Sequence, residues 1–318
     1  MTSLKQTKLL IVGSINMDLI VYGVPKIPNF GESIACNSYN YSTGGKGANQ
    51  AYAAALQGAS VSMVGRIGDD SNGHAIENEL NKVGIDTTFI VTDKEAQTGI
   101  APIMVDDTGK YFSLTVLGAN NNLSADDVIE AIAAKDYDMV LMQLEMPLET
   151  VYRTYEIASE KNIPVFLDAG PAMNIPLDRL KGIHIISPNE VETEALTGIS
   201  IDSEEQALKA AKQLFKSVNP KFVILKMGSR GAYVYDGIEG KMYAPFKVDA
   251  VDSTGAGDTF NASLAIKLCQ GYTMETGIQF AQAAAAICVS RNGAQASIPD
   301  AEEVQAFLST IKKSNNVD

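Results

Sequence analysis

The chain has 318 residues, of which 46% are hydrophobic and 20% are charged, and 25 basic against 38 acidic residues give it a net charge of −13. This composition is that of a globular protein with a sizeable core, and the length fits either one large α/β domain with an appendage or two domains. The negative charge argues against nucleic acid and anionic membranes as partners, because both are bound through basic surfaces.

The residue types present exclude several kinds of site. Cys36, Cys269 and Cys288 are far apart and form no C-x-x-C pair, which argues against a disulfide framework or a zinc site. With only His74 and His184, the chain has little material for Ser-His-Asp chemistry or a histidine-based metal site. The apolar run near the start is too short for a signal peptide, and no window reaches the length of a membrane span. We therefore expect a cytoplasmic protein.

Strands alternate with helices along most of the chain. Aliphatic runs predict core strands, and amphipathic segments predict the helices between them. The strands are expected at 8–13, 61–64, 137–144, 163–167, 183–186, 222–225, 232–235 and 241–243. The helices are expected at 51–57, 73–82, 147–161, 203–217, 258–270, 274–291 and 300–313. This alternation predicts a mostly parallel central sheet with helices on both faces.

Four short segments do not fit this rhythm. They are strand-like stretches at 19–22, 33–41, 101–105 and 110–116, and Asp106-Asp107-Thr108-Gly109 between the last two is a hairpin signal. We expect them to form a small β-sheet lid, within residues 14–41 and 97–118 of a single domain spanning 1–318. Because such a lid has unpaired strand edges, we also expect a homodimer formed through it.

A polar segment, Ser14-Ile15-Asn16-Met17-Asp18, follows the first strand. Ligands in α/β proteins bind at the carboxyl ends of strands. Asn16 and Asp18 are two residues apart, so in an extended chain their side chains point to the same side. An amide and a carboxylate on one face suit sugar hydroxyls, which both donate and accept. A polar turn would have the same composition.

A glycine-rich segment, Thr43-Gly44-Gly45-Lys46-Gly47-Ala48-Asn49-Gln50, precedes the first predicted helix. It is not a Walker A loop, because Gly47 stands at the Ser/Thr position and Asn40 at the first glycine, and no window of the chain completes the dinucleotide fingerprint G-x-G-x-x-G. The glycines would let the backbone approach a small ligand. Lys46 is either a ligand-binding residue or a solvated loop lysine.

The strongest signal lies at 251–260, where Gly255, Ala256 and Gly257 precede Asp258 and a long apolar run. Small residues let N–H groups crowd together at the positive end of a helix, which forms an anion site. Asp258 beside such a site suggests a base for phosphoryl transfer, although an ordinary helix N-terminus fits the local pattern equally well. The polar segments all follow predicted strands, so we expect them to meet along one edge of the sheet.

Two of these motifs, at 44–49 and 252–260, together resemble the paired signatures of the ribokinase (PfkB-type) family of sugar kinases, and the resemblance covers essentially the whole chain. The segments at 14–18, 142–145 and 292–295 are most similar to the ribose-phosphorylating members. The resemblance implies an ATP-dependent kinase that converts D-ribose to D-ribose 5-phosphate, with a three-layer α/β fold. The alternatives are a related kinase for fructose, adenosine or a sugar acid, and a non-catalytic sugar- or nucleotide-sensing homologue.

The resemblance also implies roles for individual positions. Asp258 would be the general base, and the anion hole would consist of Gly255, Ala256 and Gly257. The sugar, contacted also by Asp258, would be bound by Asn16, Asp18, Gly44, Gly45, Lys46, Asn49 and Glu145. ATP would be bound by Asn189, Glu192, Lys226, Gly228, Ser229, Arg230, Gly231, Gly257 and Gln282, with Glu192 acting on Mg²⁺ through water. A K⁺ ion would be enclosed by the loops that contain Asp252, Thr254, Cys288, Arg291, Gly293 and Ser297, with Cys288 contributing only its carbonyl.

Two positions depart from the family pattern. Lys226 stands where the most similar members often have threonine, and Asp168-Ala169-Gly170 replaces a more usual Asn-Pro-Ala.

Overall fold

Two β-sheets organise the chain, which a computed structural model describes over residues 6–107 and 111–314. The strands β1 to β13 are Lys8–Val12, Asn16–Tyr22, Ser38–Gly44, Ser60–Gly68, Ile90–Asp93, Gly99–Val105, Tyr111–Ser113, Met139–Met142, Val165–Asp168, Ile185–Ser187, Phe222–Lys226, Ala232–Tyr235 and Gly240–Tyr243. The helices α1 to α9 are Lys46–Leu56, Ser71–Lys82, Ala125–Ala134, Leu148–Glu160, Glu190–Thr197, Glu204–Val218, Ala256–Cys269, Met274–Val289 and Ala301–Ser314.

The central sheet contains nine strands in the order β13-β12-β11-β10-β9-β8-β1-β4-β5. All pairs from β11 to β5 are parallel, and β12 and β13 extend the sheet antiparallel at one edge. Strand β1 lies inside this sheet, and its aliphatic residues at 9–12 are completely buried. A continuous apolar strand of this kind is typical of a parallel sheet covered on both faces.

The two faces of the central sheet carry separate parts of the core. Leu10 and Val12 of β1 belong to one cluster, with side chains of α3, α4 and α6, whereas Leu9 and Ile11 belong to the other, with side chains of α1, α2, α7 and α8. Alternate residues of one strand therefore face opposite helical layers. The predicted mostly parallel sheet with helices on both faces is confirmed.

The second sheet is small and has the order β3-β2-β6-β7. Strand β2 pairs antiparallel with β3 and parallel with β6, each over seven residues, and β6 pairs antiparallel with β7. The separate small sheet is therefore confirmed, with two changes of boundary. β2 begins at Asn16 instead of residue 19, and β3 covers Ser38–Gly44 instead of 33–41 because it pairs residue for residue with β2. Part of the turn predicted at 106–109 lies outside the described residues.

Other boundaries also differ from the sequence prediction. Helix α1 begins at Lys46 instead of residue 51, because Gly45 adopts the positive φ of 89° that starts the helix early. Strand β4 is longer than the predicted 61–64, since its second half pairs with β5. Strand β5 and helix α3 were not predicted. The start of α3 had a recognisable signal, because Ser124 and Asp127 form a capping box.

No helix within the described ranges is long and apolar enough to cross a membrane. Cys36, Cys269 and Cys288 form no disulfide within the described residues.

Candidate active site

Asp258 lies in the first turn of α7, with only 5% of its surface exposed. Gly255 immediately precedes the helix and has a φ of 76°, which orients the turn that leads into it. The N–H of Ala256 donates to Ser253 O over 3.3 Å. Within the described ranges, the N–H groups of Gly255 and Gly257 donate no backbone hydrogen bond, so they remain available to an anion.

Two amides from α1 hold the Asp258 carboxylate. Its Oδ2 accepts a hydrogen bond from Asn49 Nδ2 at 3.0 Å, and its Oδ1 accepts one from Gln50 Nε2 at 3.2 Å. Burial raises the pKa of Asp258 to about 6, with Asp168 adding to the increase, while Lys46 and the two amides oppose it. Such a group is ionised at neutral pH and still basic enough to accept a proton.

Asn16 and Asp18 lie on β2 and face the same site, as their spacing predicted. Both are nearly fully buried, with 3% and 5% of their surfaces exposed. The carboxylate of Asp18 packs directly on Gly44, where a Cβ atom would come within 2.2 Å of Asp18 Oδ2. Burial, together with the charges of Glu145 and Asp258, raises the pKa of Asp18 to about 7. Because Gly44 has no side chain, it leaves the space that the Asp18 carboxyl group occupies.

The ammonium group of Lys46 faces four carboxylates. Desolvation lowers the pKa of Lys46, but the charges of Asp258, Asp168, Glu145 and Glu192 outweigh it and hold the pKa above its usual value. Lys46 is therefore charged at neutral pH, and it is the first residue of α1. The alternative of a solvated loop lysine does not fit this environment.

Glu145 and Asn16 are held in place by neighbouring side chains. Glu145 Oε2 accepts hydrogen bonds from Ser14 Oγ at 2.5 Å and from the N–H of Lys46 at 3.2 Å. Asn120 is completely buried and donates to Asn16 Oδ1 at 2.8 Å, while its own Oδ1 accepts from the N–H of Ile15. The Asn16 amide is therefore oriented with its NH₂ group left for a ligand.

Asp168 and Lys226 form a buried ion pair beside these residues. Asp168 Oδ1 accepts from Lys226 Nζ, and their side chains are 2% and 13% exposed. Asp168 Oδ2 accepts from Gln50 Nε2 at 3.0 Å. Desolvation would raise the pKa of Asp168, but the charges of Lys226 and Lys46 hold it below its usual value. The two positions that depart from the family pattern are thus in direct contact.

The segment around α5 provides the remaining carboxylate. Asn189 and Glu192 form a capping box, in which Glu192 Oε2 accepts from the N–H of Asn189 at 2.7 Å and Asn189 Oδ1 accepts from the N–H of Glu192 at 2.9 Å. The other oxygen of Glu192, Oε1, faces Gly170, since a Cβ atom there would lie 2.3 Å from it. Glu192 can therefore cap the helix and still present one oxygen to the site.

Other predicted nucleotide ligands are engaged elsewhere. Arg230, in the 3₁₀ turn Gly228–Arg230, donates to Glu190 Oε1 at 2.5 Å and to the carbonyl of Ile201. Gln282 donates to the carbonyl of Tyr243 at 2.9 Å. Gly231 follows the turn with a φ of 95°. The Arg230 and Gln282 side chains thus already have partners within the protein.

The loops predicted to hold a cation come together at the start of α7. Asp252 Oδ1 accepts from the N–H and the hydroxyl of Thr254 at 2.9 and 2.7 Å, and its Oδ2 accepts from the N–H of Gly293 at 3.0 Å. Cys288 Sγ lies 3.0 Å from Ser297 Oγ. Arg291 is different, because its guanidinium points to Glu303, with a 2.5 Å contact to Oε1.

Three residues that shape the site were not predicted as site residues. Gln50 stands directly after the predicted Asn49, so its place in the glycine-rich segment was a usable signal. Asn120 is one of three consecutive asparagines, and no local pattern distinguishes it from the other two. Asp168 was recognised only as a departure from the family, and its pairing with Lys226 spans 58 residues.

Comparison with known proteins identifies relatives over nearly the whole chain. The pattern that describes the pfkB family of carbohydrate kinases matches residues 6–301. A ribokinase from Haemophilus influenzae is 39% identical, over 94% of this chain and 98% of its own. A deoxyribokinase from Salmonella typhi is 34% identical, over the same shares of the two chains.

Among solved structures, that of Arabidopsis thaliana ribokinase complexed with ribose and ATP superposes with a TM-score of 0.86. The two sequences are 32% identical, and the match covers 95% of this chain and 99% of the plant chain. The family match at 6–301 includes both sheets and all the segments that build the site.

Proposed function

The chain belongs to the pfkB family of carbohydrate kinases, and from this premise we propose that it is a ribokinase, which transfers the γ-phosphoryl group of ATP to the 5-hydroxyl of D-ribose. The observation that carries the proposal is the position of Asp258. This buried carboxylate lies at the N-terminus of α7, directly after the N–H groups of 255–257, and shares its environment with Asp18 and Lys46. A proton acceptor, an anion site and a polar sugar site thus meet at one point.

In the proposed reaction Asp258 accepts the proton of the sugar hydroxyl as the oxygen attacks the γ-phosphorus. A pKa of about 6 keeps the carboxylate ionised at pH 7 to 8. Asn49 and Gln50 donate to its two oxygens, which fixes the plane of the carboxylate before the sugar binds. Fixed positioning matters because phosphoryl transfer depends mainly on alignment and charge neutralisation.

The anion hole neutralises the phosphoryl group as it moves. The unpaired N–H groups of Gly255 and Gly257 point from a helix N-terminus, where the helix dipole also favours negative charge. The charged Lys46 supplies a further positive group near Asp258. We expect the sugar itself to be bound by Asn16, Asp18, Gly44, Gly45, Asn49 and Glu145.

Mg²⁺ and K⁺ are part of the proposal. Mg²⁺ prefers oxygen ligands and would enter with the ATP phosphates, whose charge it neutralises, and the free oxygen of Glu192 fits a contact through water. The two loops that Asp252 links, one with Thr254 and the other with Gly293, offer carboxylate and carbonyl oxygens, which fit K⁺. Asp252 would also support the anion hole, since it fixes the chain just before Gly255.

Four properties of the whole protein complete the proposal. The small sheet, with the 14–41 and 97–118 segments, acts as a lid over the sugar site, because Asn16 and Asp18 belong to its strand β2. Its open edge joins two copies into a homodimer. The protein works in the cytoplasm, where free cysteines persist, and the net charge of −13 disfavours nucleic acid as a partner.

The proposal is tested by a panel of acceptors assayed with ATP and Mg²⁺, comprising D-ribose, 2-deoxy-D-ribose, D-fructose and adenosine. We expect the highest kcat/KM with D-ribose. Asp258→Asn should reduce kcat about 10³-fold or more, because Asn keeps the shape of the side chain but cannot accept the proton. A preference for another acceptor would overturn the substrate, and near-normal turnover of a folded Asp258→Asn enzyme would overturn the base.

The deoxyribokinase relative makes 2-deoxy-D-ribose the second candidate substrate. The two sugars differ only in one hydroxyl. A site that hydrogen-bonds that hydroxyl should discriminate strongly between them, because the buried polar groups lose their partner when it is absent.

A further inference from the structure

The ion pair of Asp168 and Lys226 is the most buried salt bridge among the residues that the structure describes. Asp168 ends β9 and Lys226 ends β11, with β10 between them, so the pair spans the carboxyl edge of the sheet. Burying two charges is costly and seldom adds stability compared with apolar residues. A pair of this kind at the edge of an active site therefore calls for a role beyond stability.

The Asp168 side of the pair is connected to the proposed base. Gln50 Nε2 donates both to Asp168 Oδ2, at 3.0 Å, and to Asp258 Oδ1, at 3.2 Å. The amide oxygen of Gln50 in turn accepts from Gln143 Nε2 at 2.6 Å. Because both ends of the Gln50 amide are engaged, it cannot rotate freely, and the orientations of the two carboxylates are coupled.

The Lys226 side of the pair reaches the anion hole. Its ammonium lies 3.9 Å from the position that a Cβ atom would take on Gly257. It therefore stands next to the unpaired N–H groups at the start of α7, so the Lys226 ammonium and the positive end of the helix face the same space. Asp168 compensates the charge of Lys226 in the absence of substrate, and an incoming phosphate would interact with both the ammonium and the N–H groups.

Asp168 itself is not a competing base. The charges of Lys226 and Lys46 hold its pKa below the usual value, so it stays ionised and weakly basic. Asp258, whose pKa is raised, is the better proton acceptor of the two.

We propose that Lys226 is a further ligand of the transferred phosphoryl group, and that Asp168 is a positioning residue that holds Lys226 beside Gly257 and orients Asp258 through Gln50. The inference rests on the proposed kinase function and deepens it. In the reaction the sugar oxygen forms a bond to the γ-phosphorus while the bond from that phosphorus to the β,γ-bridging oxygen breaks. The bond's electron pair leaves with ADP, and the hydroxyl proton goes to Asp258. The Lys226 charge offsets the negative charge of the group in transit.

A double-mutant cycle tests the coupling. Lys226→Met removes the charge and keeps the length of the stem, and Asp168→Asn removes the opposite charge. We expect Lys226→Met to lower kcat about 10²-fold and Asp168→Asn to lower it less, by about tenfold. In the double variant the losses should not multiply, because the residues act as one unit. Lys226→Arg, which keeps the charge, should recover much of the loss.

Two further measurements separate this role from a purely structural one. Lys226→Met should weaken the binding of AMP-PNP with Mg²⁺ about tenfold in calorimetry and leave AMP binding unchanged, because only AMP-PNP carries the distal phosphates. In the pH profile of kcat/KM, Asp168→Asn should move the acidic limb to lower pH and Lys226→Met to higher pH. The charged groups that also face these carboxylates are Lys46, Asp18, Glu145 and Glu192. These groups and the neutral, titratable Cys288 thiol remain in both variants.

Lys135→Met is the matched control, because Lys135 also pairs with an aspartate, Asp86, at 2.6 Å, but on the exposed surface. Lys135→Met should behave as the wild type in every assay.

The inference is overturned if folded Lys226→Met keeps wild-type turnover and AMP-PNP affinity, or if the losses of the single variants multiply in the double variant. If the wild type prefers another acceptor than D-ribose, the substrate proposal fails alone, and the variants are assayed with that acceptor. Because AMP-PNP binding needs no acceptor at all, it decides the role of Lys226 in either case.

Discussion

Asp18 and Asp258, two carboxylic acids of the proposed sugar site, have pKa values raised by burial to about 7 and about 6. Above these values the folded protein must hold both charges in a site with little water. The unfolded chain ionises the same groups near their usual pKa of 3.8 without that cost. The carboxylates proposed for binding and catalysis thus carry charges that oppose folding, as is common in active sites.

The variant Asp18→Asn should show, in the stability of the ligand-free protein, that the buried charge of Asp18 opposes folding. Between about pH 4 and pH 7 folded Asp18 retains a proton that the unfolded chain has lost, so the contribution of this group to the free energy of unfolding falls as pH rises. Asparagine does not ionise. We expect Asp18→Asn to raise the free energy of unfolding by about 1 to 3 kcal/mol at pH 8 and by much less at pH 4.5, while sugar phosphorylation is strongly reduced. Urea denaturation at the two pH values measures the difference.

Asp86→Asn serves as a control in which the free energy of unfolding should change in the opposite direction. Burial would raise the pKa of Asp86, but hydrogen bonds from Lys135, Thr88 and Ser62 lower it to about 2, so its charge favours the folded state at neutral pH. This variant should lose stability at pH 8. A gain in Asp86→Asn, or a gain in Asp18→Asn that does not depend on pH, would contradict the interpretation.

At the scale of whole elements, the site is built where strands end. The strands of the central sheet run parallel, so their carboxyl ends meet at one edge, and the sequence predicted this convergence from the alternation of strands and helices alone. It also placed Asp258 at the start of a helix and Asn16 with Asp18 on one face. These features depend on local periodicity and spacing, which a single sequence contains.

What the sequence did not predict depends on distant contacts. The length of β3 is set by its pairing with β2, and the second half of β4 exists because β5 lies beside it. The roles of Asn120 and Gln50, and the pairing of Asp168 with Lys226, likewise arise from side chains brought together by the fold. Even the environment of Lys46, left open by its sequence, depends on four carboxylates that belong to other parts of the chain.

Asp252 joins the two loops around the N-terminus of α7. Its two oxygens accept hydrogen bonds from Thr254 on its own loop and from Gly293 on the other. In Asp252→Asn the amide NH₂ would face an N–H donor, and one link would break. We expect kcat to fall about tenfold and the stimulation by K⁺ over Na⁺ to diminish. Steady-state rates in matched KCl and NaCl measure both effects.

Asp300→Asn is the control for this experiment. Asp300 caps α9 by accepting from the N–H of Glu303 at 2.9 Å, and it holds neither of the two loops. It should lower stability slightly and leave the response to K⁺ intact. A wild-type response in Asp252→Asn, or equal wild-type rates in the two salts, would remove the cation proposal.

At the scale of the molecule, the large sheet and the small sheet differ in how their edges and faces are covered. The central sheet is buried between helical layers on both faces. The small sheet ends at β3, a seven-residue edge strand whose side chains are exposed at 38–41. Tyr39 and Tyr41 lie two residues apart on this strand, 67% and 53% exposed, with their rings packed edge to face at 5.8 Å. Two large aromatic side chains on an open edge strand mark a surface that a partner should cover.

We therefore expect the protein to be a dimer in which the β3 edges of two copies meet, and light scattering should give twice the mass of the chain. Replacing both Tyr39 and Tyr41 by lysine places four positive charges at the shared edge and removes the aromatic surface, so the mass should fall to that of one chain. Ile238→Lys is the control, because Ile238 is 89% exposed in a turn of the central sheet, and the dimer of this variant should persist.

Because Asn16 and Asp18 lie on β2, directly beside β3, loss of the dimer should raise the KM for the sugar more than the KM for ATP. A wild-type protein that remains monomeric at all concentrations, or a double lysine variant that stays dimeric, would exclude the β3 edge as the interface.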